Sequence, residues 1–453
     1  RTKGISKEVL FVIIRAAMDL ITQFLKSKQH HETGSLRHVA DSVWRKKSKI
    51  LAIAKKNETP FYLIDDAELN KSIGEFESGF RKPLRQSRFF YAIKTNYHPH
   101  ILRTAVKRGW GLDASSGREL DLALQAGARQ ILFTGPGKTD KELALAQKHA
   151  GRVILNIDNF SELARVGKLL RGKTTKLRAG VRFFSKLHET WSKFGIPLKD
   201  LGRFWHQAGK IRNLELSGVQ FHSSLNRFPG RNAKIIAELG GYLKSKFPKT
   251  FLEEIKFIDI GGGYYPDNIE GYYPWSASYP WTLSPGHFQK LSASALGKPV
   301  TFKQRYYITR AASPEAFAKE IASAIRENLQ PLVNAEIFLE PGRIIATRAM
   351  HLVLKVVDVK DGLAVTDGGI NMTGWEFGQN FYLPIVNISN FARQEINFPL
   401  YGSLCTPRDF WGYYIYAKKI TSGDVIVIPN QGAYRFTLAQ EFIKPIPPAY
   451  LLK

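Results

Sequence analysis

The chain predicts an α/β protein in which a parallel (β/α)8 barrel is followed by a mostly antiparallel β domain. Three observations carry this. Short apolar runs alternate with helix-like segments between about residues 60 and 345. After about Ile345 the character changes to strand-like runs joined by turns with no room for long helices. At 453 residues the chain is also too long for one simple core.

Before the barrel lies a basic extension, residues 1–58. Val9 to Leu25 has apolar positions at helical spacing, interrupted by Arg15 and Asp19. Two mid-segment charges cost roughly 2.5–3.5 kcal/mol each on insertion, so the segment predicts an amphipathic helix and no membrane span. The uninterrupted apolar run is too short for a secretory leader. The Arg45-Lys46-Lys47 cluster then leads through a charged helix to Thr59-Pro60.

The barrel unit is expected over residues 59–345. Phe61-Tyr62-Leu63-Ile64 reads as a strand, one expected to join the β domain, and a polar helix follows Asp66. Eight further strands are predicted at Phe89–Ile93, Gly111–Asp113, Ile131–Phe133, Val153–Ile157, Leu177–Phe183, Leu216–Phe221, Ile255–Ile260 and Ala335–Leu339. Between them lie helix-like segments such as Ser116–Ala126, Lys141–Ala150 and Ala233–Lys246. This alternation points to a barrel whose chemistry sits on the loops at the C-terminal face. Residues 264–312, with Trp275, Trp281 and several tyrosines, break the rhythm and form an insertion, either an aromatic packing insert or a lid. The β domain is expected over 346–453, with strand-like runs at His351–Val357, Leu363–Thr366 and Asp424–Ile428.

Several of these strands end in useful chemistry. Tyr91-Ala92-Ile93-Lys94 places a lysine at the end of a buried strand. A buried ammonium is costly unless matched or neutralised, and such lysines form Schiff bases with carbonyl groups. A snorkelling surface lysine would look the same in isolation. Ile260 runs into Gly261-Gly262-Gly263, whose bare amides suit a phosphate or serve a simple turn. Glu340-Pro341-Gly342-Arg343 sets a carboxylate beside an arginine at another strand end, a site for an anion and a ring nitrogen or a local ion pair. Phe221-His222 ends a further strand in an imidazole able to stack on a planar ring.

In order along the chain, these motifs are joined by Gly111-Leu112-Asp113-Ala114-Ser115-Ser116-Gly117-Arg118-Glu119-Leu120, Gly135-Pro136-Gly137-Lys138-Thr139, Gly402-Ser403-Leu404-Cys405 and Gly432-Ala433-Tyr434. The set resembles the fold-type III pyridoxal phosphate (PLP)-dependent decarboxylases, the group holding diaminopimelate, ornithine and arginine decarboxylases. The likeness runs from about Thr59 to Gln440. It implies an alanine racemase-like PLP-binding barrel, with PLP held by Lys94, His222 stacked on the ring and Glu340 paired with the ring nitrogen. Gly261, Gly262, Gly263, Gly342 and Arg343 would bind the phosphate, and Asp113, Glu119, Arg182 and Tyr434 would lie near the cofactor. The resemblance further implies a homodimer in which Cys405 reaches across to the partner's site, so that Lys94, His222 and Cys405 are the expected catalytic groups.

The departures from the family pattern concern substrate. The position after the cysteine, acidic in enzymes that read a distal amine, is Thr406. The Arg-Pro pair expected after Asp367-Gly368-Gly369-Ile370-Asn371-Met372 is missing from Gly378-Gln379-Asn380-Phe381-Tyr382. Ser223-Ser224-Leu225-Asn226 also replaces the usual continuation of the histidine motif. A non-standard or modified diamino acid is therefore expected, contacted by Tyr382, Thr406, Arg408 and Asp409. A racemase or epimerase on the same fold would be expected to carry arginine in place of Glu340. An inactive regulatory paralogue would have no reason to keep the whole set.

The formal net charge of +27 fits a solvated basic surface, or an acidic partner such as a carrier protein. No RNA-binding or zinc signature accompanies it, so neither a nucleic-acid partner nor a metal is expected. The single cysteine, Cys405, rules out an intramolecular disulfide and fits a cytoplasmic setting.

Overall fold

The computed structural model describes residues 31–32, 34–188, 193–273, 305–375 and 381–453. The amphipathic segment Val9–Leu25, Trp275, Trp281 and the stretch Gly378–Asn380 lie outside the described residues.

Eight parallel strands form the barrel: Ser87–Ala92, Gly111–Ala114, Ile131–Thr134, Val153–Ile157, Leu177–Phe184, Leu214–Gln220, Phe257–Gly262 and Glu336–Glu340. Each pairs with the next in sequence, and Ile337 opposite Ser87 closes the ring. Strands buried on both faces need near-continuous apolar runs, which is why they were legible as such. Inside the barrel Phe90, Leu132, Ile154, Phe257 and Phe338 form a plug, with Phe257 and Phe338 stacked at 4.6 Å between centroids. Gly218 makes room for it, since a Cβ there would sit 2.1 Å from Phe257 Cζ. The plug leaves the strand ends to polar side chains.

Helix starts are capped by side chains chosen for that purpose. Ser116 accepts from Glu119 N ahead of Gly117–Gln125, and Thr139 forms a reciprocal capping box with Glu142 ahead of Asp140–Lys148. Gly117–Gln125 in turn anchors the loop that follows the strand bearing Asp113.

The second sheet runs in the order Leu363–Thr366, Glu395–Tyr401, Phe410–Tyr416, Ile385–Asn387, Val425–Ile428, Met350–Lys360, Phe61–Asp65, Ala449–Leu452. Most of its pairings are antiparallel. Phe61–Asp65 lies in this sheet, antiparallel to Met350–Lys360. A smaller antiparallel sheet joins His31–Glu32, Tyr307–Thr309, Gly271–Tyr272 and Phe381–Tyr382, so both described stems of the insertion meet the β domain there. Among the described residues no helix is long and apolar enough to cross a membrane.

The described part of the extension packs on the second sheet. Val43 and Ile50, from helices Arg37–Arg45 and Lys47–Lys56, enter one apolar cluster with Phe61, Leu63 and Val353. Between the two helices, Lys46 reaches Asp65, whose side chain is 1% exposed. Asp65 also caps the helix Asp66–Arg81 through Glu68 N at 3.1 Å and lies 3.5 Å from His351 Nε2. Extension, barrel and β domain thus meet at one carboxylate. Burial pushes Asp65 up, but His351 and Lys46 outweigh it and hold the carboxyl well below its usual range. A carboxylate depressed in the folded state contributes stability above its unfolded pKa and loses it as pH falls. Lys46→Met is expected to destabilise the protein by about 1–3 kcal/mol at neutral pH, less than a fully buried pair because Lys46 is partly exposed. Urea midpoints should show the gap between variant and parent narrowing as the pH drops below about 4. A gap that is constant across that range would remove the ion pair from the explanation.

Candidate active site

Lys94 lies in the short turn Ile93–Thr95 directly after the strand Ser87–Ala92. Its Nζ donates to Asp113 Oδ2 at 2.7 Å, from the end of the neighbouring strand. The lysine side chain is 35% exposed, whereas Asp113 is fully buried. Burial alone would lower the lysine pKa. The charges of Asp113 and Glu340 outweigh it and hold the amine protonated, with a raised pKa. Asp113 is itself pushed up to about 7, first by burial and then by the charge of Glu340, against the pull of Lys94.

Glu340 ends the last barrel strand, also buried. Its Oε1 accepts from Gln220 Nε2 at 3.3 Å, and its Oε2 lies 3.3 Å from His222 Nδ1. Burial pushes Glu340 up, yet contact with His222 and the charge of Lys94 prevail and hold it at about 2. Asp259 hydrogen-bonds Glu340, and burial together with that neighbour's charge raises it well above the usual range. Asp259 Oδ1 accepts from Gly261 N at 2.9 Å, tying the carboxylate pair to the glycine turn. Burial lowers the His222 pKa against the pull of Glu340, and Gly262 N lies 3.2 Å from its Nδ1. Arg182, 7% exposed, faces Glu340, Asp158, Asp113 and Asp259 and lies 4.3 Å from the Phe194 ring.

The glycine turn is required by close approach. A Cβ on Gly262 would stand 2.1 Å from Glu340 O, and Gly261 and Gly263 have φ of 69° and 87°. Gly342 lies against Thr95, where a Cβ would meet Oγ1 at 2.1 Å. Next to it, the Arg343 guanidinium lies between the rings of Tyr265 at 4.6 Å and Tyr434 at 4.9 Å. Among the described residues, no carboxylate lies within ion-pair distance of Arg343. Tyr434 adopts φ 66° and donates its N–H to Thr95 O at 2.8 Å, which locks the C-terminal segment onto the lysine turn. Glu119 accepts from Ser115 N at 2.7 Å and is raised by burial.

The structure therefore brings together Lys94, Asp113, Arg182, His222, Glu340, the glycine turn, Arg343 and Tyr434. Other expected residues sit elsewhere. Cys405 is free and exposed, and Thr406 Oγ1 accepts from Arg408 N at 3.4 Å in the same surface loop. Asp409 turns its carboxylate back onto that loop, accepting from Ile370 N at 2.7 Å and Leu404 N at 2.5 Å. Tyr382 is fully buried in the small sheet, stacked on Tyr306 at 3.5 Å with its hydroxyl on Glu395. Sequence reasoning assigned no part to Asp259 or Gln220. Asp259 opens the motif Asp259-Ile260-Gly261-Gly262-Gly263 but was given no role, whereas Gln220 carries no signal until the strands are paired.

The residues fit PLP. They supply an amine at the barrel mouth, an ionised buried carboxylate for a protonated ring nitrogen, and an arginine without a carboxylate partner among the described residues, beside a turn that no side chain could enter. Among the described residues, buried Asp113 Oδ1 has no hydrogen-bond partner, an orphan that a bound polar group would satisfy.

Residues 70–274 match the model of the pyridoxal-binding domain of pyridoxal-dependent decarboxylases. The diaminopimelate decarboxylase of Aquifex aeolicus is 26% identical over 403 residues, covering 85% of this chain and 84% of that one. An L-glutamyl-[BtrI acyl-carrier protein] decarboxylase of Niallia circulans is 23% identical over 421 residues, covering 85% and 86%. The solved diaminopimelate decarboxylase of M. jannaschii, in complex with L-lysine, has the same fold, with a TM-score of 0.71 at 20% identity over 89% of each chain. The order of motifs, the closed barrel and the lysine–carboxylate site agree with these likenesses, which together support a fold-type III PLP-dependent decarboxylase.

Proposed function

We propose that this decarboxylase removes the α-carboxylate of a modified or non-standard diamino acid. The observation that carries the reaction type is Glu340, buried and ionised within reach of the Lys94 charge. Bound PLP supplies an electron sink for the pair left on Cα as CO2 departs, and it does so best with a protonated ring nitrogen. Glu340 stabilises that proton, Asp113 orients the Lys94 amine, and Arg343 with the glycine turn neutralises the phosphate. Lys94 Nζ, held charged by its neighbours, is a proton donor for Cα, and Cys405 is the other candidate. Cys405 is exposed in the single chain. A homodimer that shares its sites would give that exposure a purpose. The single cysteine suits a cytoplasmic setting.

The substrate reading rests on Thr406 in place of an amine-reading acid and on the missing arginine before Tyr382. A second reading, an amino acid carried on an acidic carrier protein, is favoured by the Niallia circulans relative and by the net charge of +27. CO2 release from PLP-loaded protein should be measured with meso-diaminopimelate, lysine, ornithine, arginine, N-acylated diamino acids and carrier-bound glutamate. Turnover is expected to be highest with a modified or conjugated member. Faster turnover of meso-diaminopimelate or ornithine would overturn the substrate reading, and indifference to any acidic carrier would remove the second.

A further inference from the structure

Arg227 follows the segment Ser223-Ser224-Leu225-Asn226, and the structure holds it rigidly against the cofactor end of the barrel. Asn226 Nδ2 donates to Gly262 O at 2.6 Å and to Ser223 O at 2.7 Å, and Asn226 N donates to Gly263 O at 2.9 Å. The loop is thus fastened to the glycine turn. Leu225 adopts φ 58°, rare for a branched side chain, and its carbonyl accepts from Arg227 N at 2.8 Å. The Arg227 carbonyl accepts from Ala312 N at 2.8 Å, at the returning stem of the insertion.

The guanidinium of Arg227 lies 5.1 Å from the ring of Tyr265 and 5.4 Å from that of Tyr272, and it donates to the Tyr272 hydroxyl. Tyr265 is the same ring that flanks Arg343. Two arginines therefore share one tyrosine beside the glycine turn. Among the described residues, no carboxylate lies within ion-pair distance of Arg227. The nearby acid Asp267 is already engaged by Arg310 Nε at 2.8 Å and Ala311 N at 2.9 Å. Aromatic faces compensate a half-buried guanidinium only in part, and its fork of N–H donors is completed by an oxyanion. Leu225 and Phe228, 65% and 40% exposed, flank it with apolar surface.

We propose that Arg227 forms an oxyanion-binding position, separate from the phosphate position at Arg343, that reads an acidic group remote from the substrate's reacting carbon. This rests on the decarboxylase reading and gives the substrate a charge. The chain lacks the expected acid for a distal amine and the expected arginine for a distal carboxylate, and Arg227 supplies a cation on a different element. The oxyanion has two possible sources, a side-chain carboxylate or the phosphate of a carrier's phosphopantetheine arm.

The test is calorimetric binding of three probes to the PLP-loaded protein: glutarate, phosphopantetheine and cadaverine. One of the two anions is expected to bind, and which one identifies the source. Arg227→Gln should weaken that binding roughly 10- to 100-fold while Arg227→Lys restores part of it, and neither should alter cadaverine binding. PLP content, read from its absorbance, should remain that of the parent protein in both variants. Failure of both anions to bind, unchanged binding in Arg227→Gln, or loss of PLP in Arg227→Lys would overturn the proposal. Because binding is read without turnover, anion binding without CO2 release from any substrate would fail the decarboxylase reading and leave Arg227 standing.

Discussion

Replacing Lys94 by alanine is expected to lower CO2 release by about 10³-fold or more and to abolish the absorbance of lysine-bound PLP. Covalent anchoring and a positioned proton donor are both lost with this side chain, and the proton donor alone contributes roughly 10²–10⁴-fold. The variant also leaves Asp113 buried without its cation. Asp113 is already pushed up to about 7 with the lysine present, so without it the carboxyl takes up a proton more readily still. The variant should therefore fold. A Lys94→Ala protein that retained both the absorbance and more than a tenth of the activity would remove Lys94 from the chemistry.

Glu340→Gln is expected to lower kcat by roughly 10²–10³-fold while PLP stays bound, in the range found when one preorganised electrostatic stabiliser is removed. The carboxylate sits at about 2 despite complete burial, so at working pH it carries a full charge where a protonated ring nitrogen needs one. Glutamine keeps the size and the acceptor but not the charge. Asp259 then loses the partner that raises it and is expected to ionise more easily, because the anion beside it is gone. Rapid-scan absorbance during turnover separates this from a folding defect. An unchanged kcat with full cofactor occupancy would place the pairing with the ring nitrogen elsewhere.

Much of the fold was legible because barrel strands are buried on both faces and so appear as uninterrupted apolar runs. Glu336–Glu340 and Val153–Ile157 were predicted nearly to the residue for that reason. Lys94, His222 and Glu340 were legible because each stands at the end of such a run, where the barrel directs side chains to its mouth. The carboxylate pair was not. Asp259 and Glu340 are far apart in sequence, and only the pairing of their strands, with Asp259 opposite Phe338 and Glu340 opposite Gly262, brings them close. The placement of Tyr382 escaped prediction for a related reason. Its strand is two residues long and exists only because the insertion's stem offers an edge.

The sequence by itself determined the class of protein, the order of its elements and the identity of the groups that carry the chemistry, because local apolar patterning and chemical type are properties of short stretches. Tertiary structure alone decided which of those groups are charged. Lys94 and Asp259 are raised and Glu340 is lowered because burial and three neighbouring strands set their energies against one another, and a proton is favoured where the summed field is most favourable. It also decided that Arg227 and Arg343, on segments more than a hundred residues apart, flank a single ring. Charge states and shared partners are properties of distances between strands, and a linear chain does not carry those distances until it has closed into a barrel.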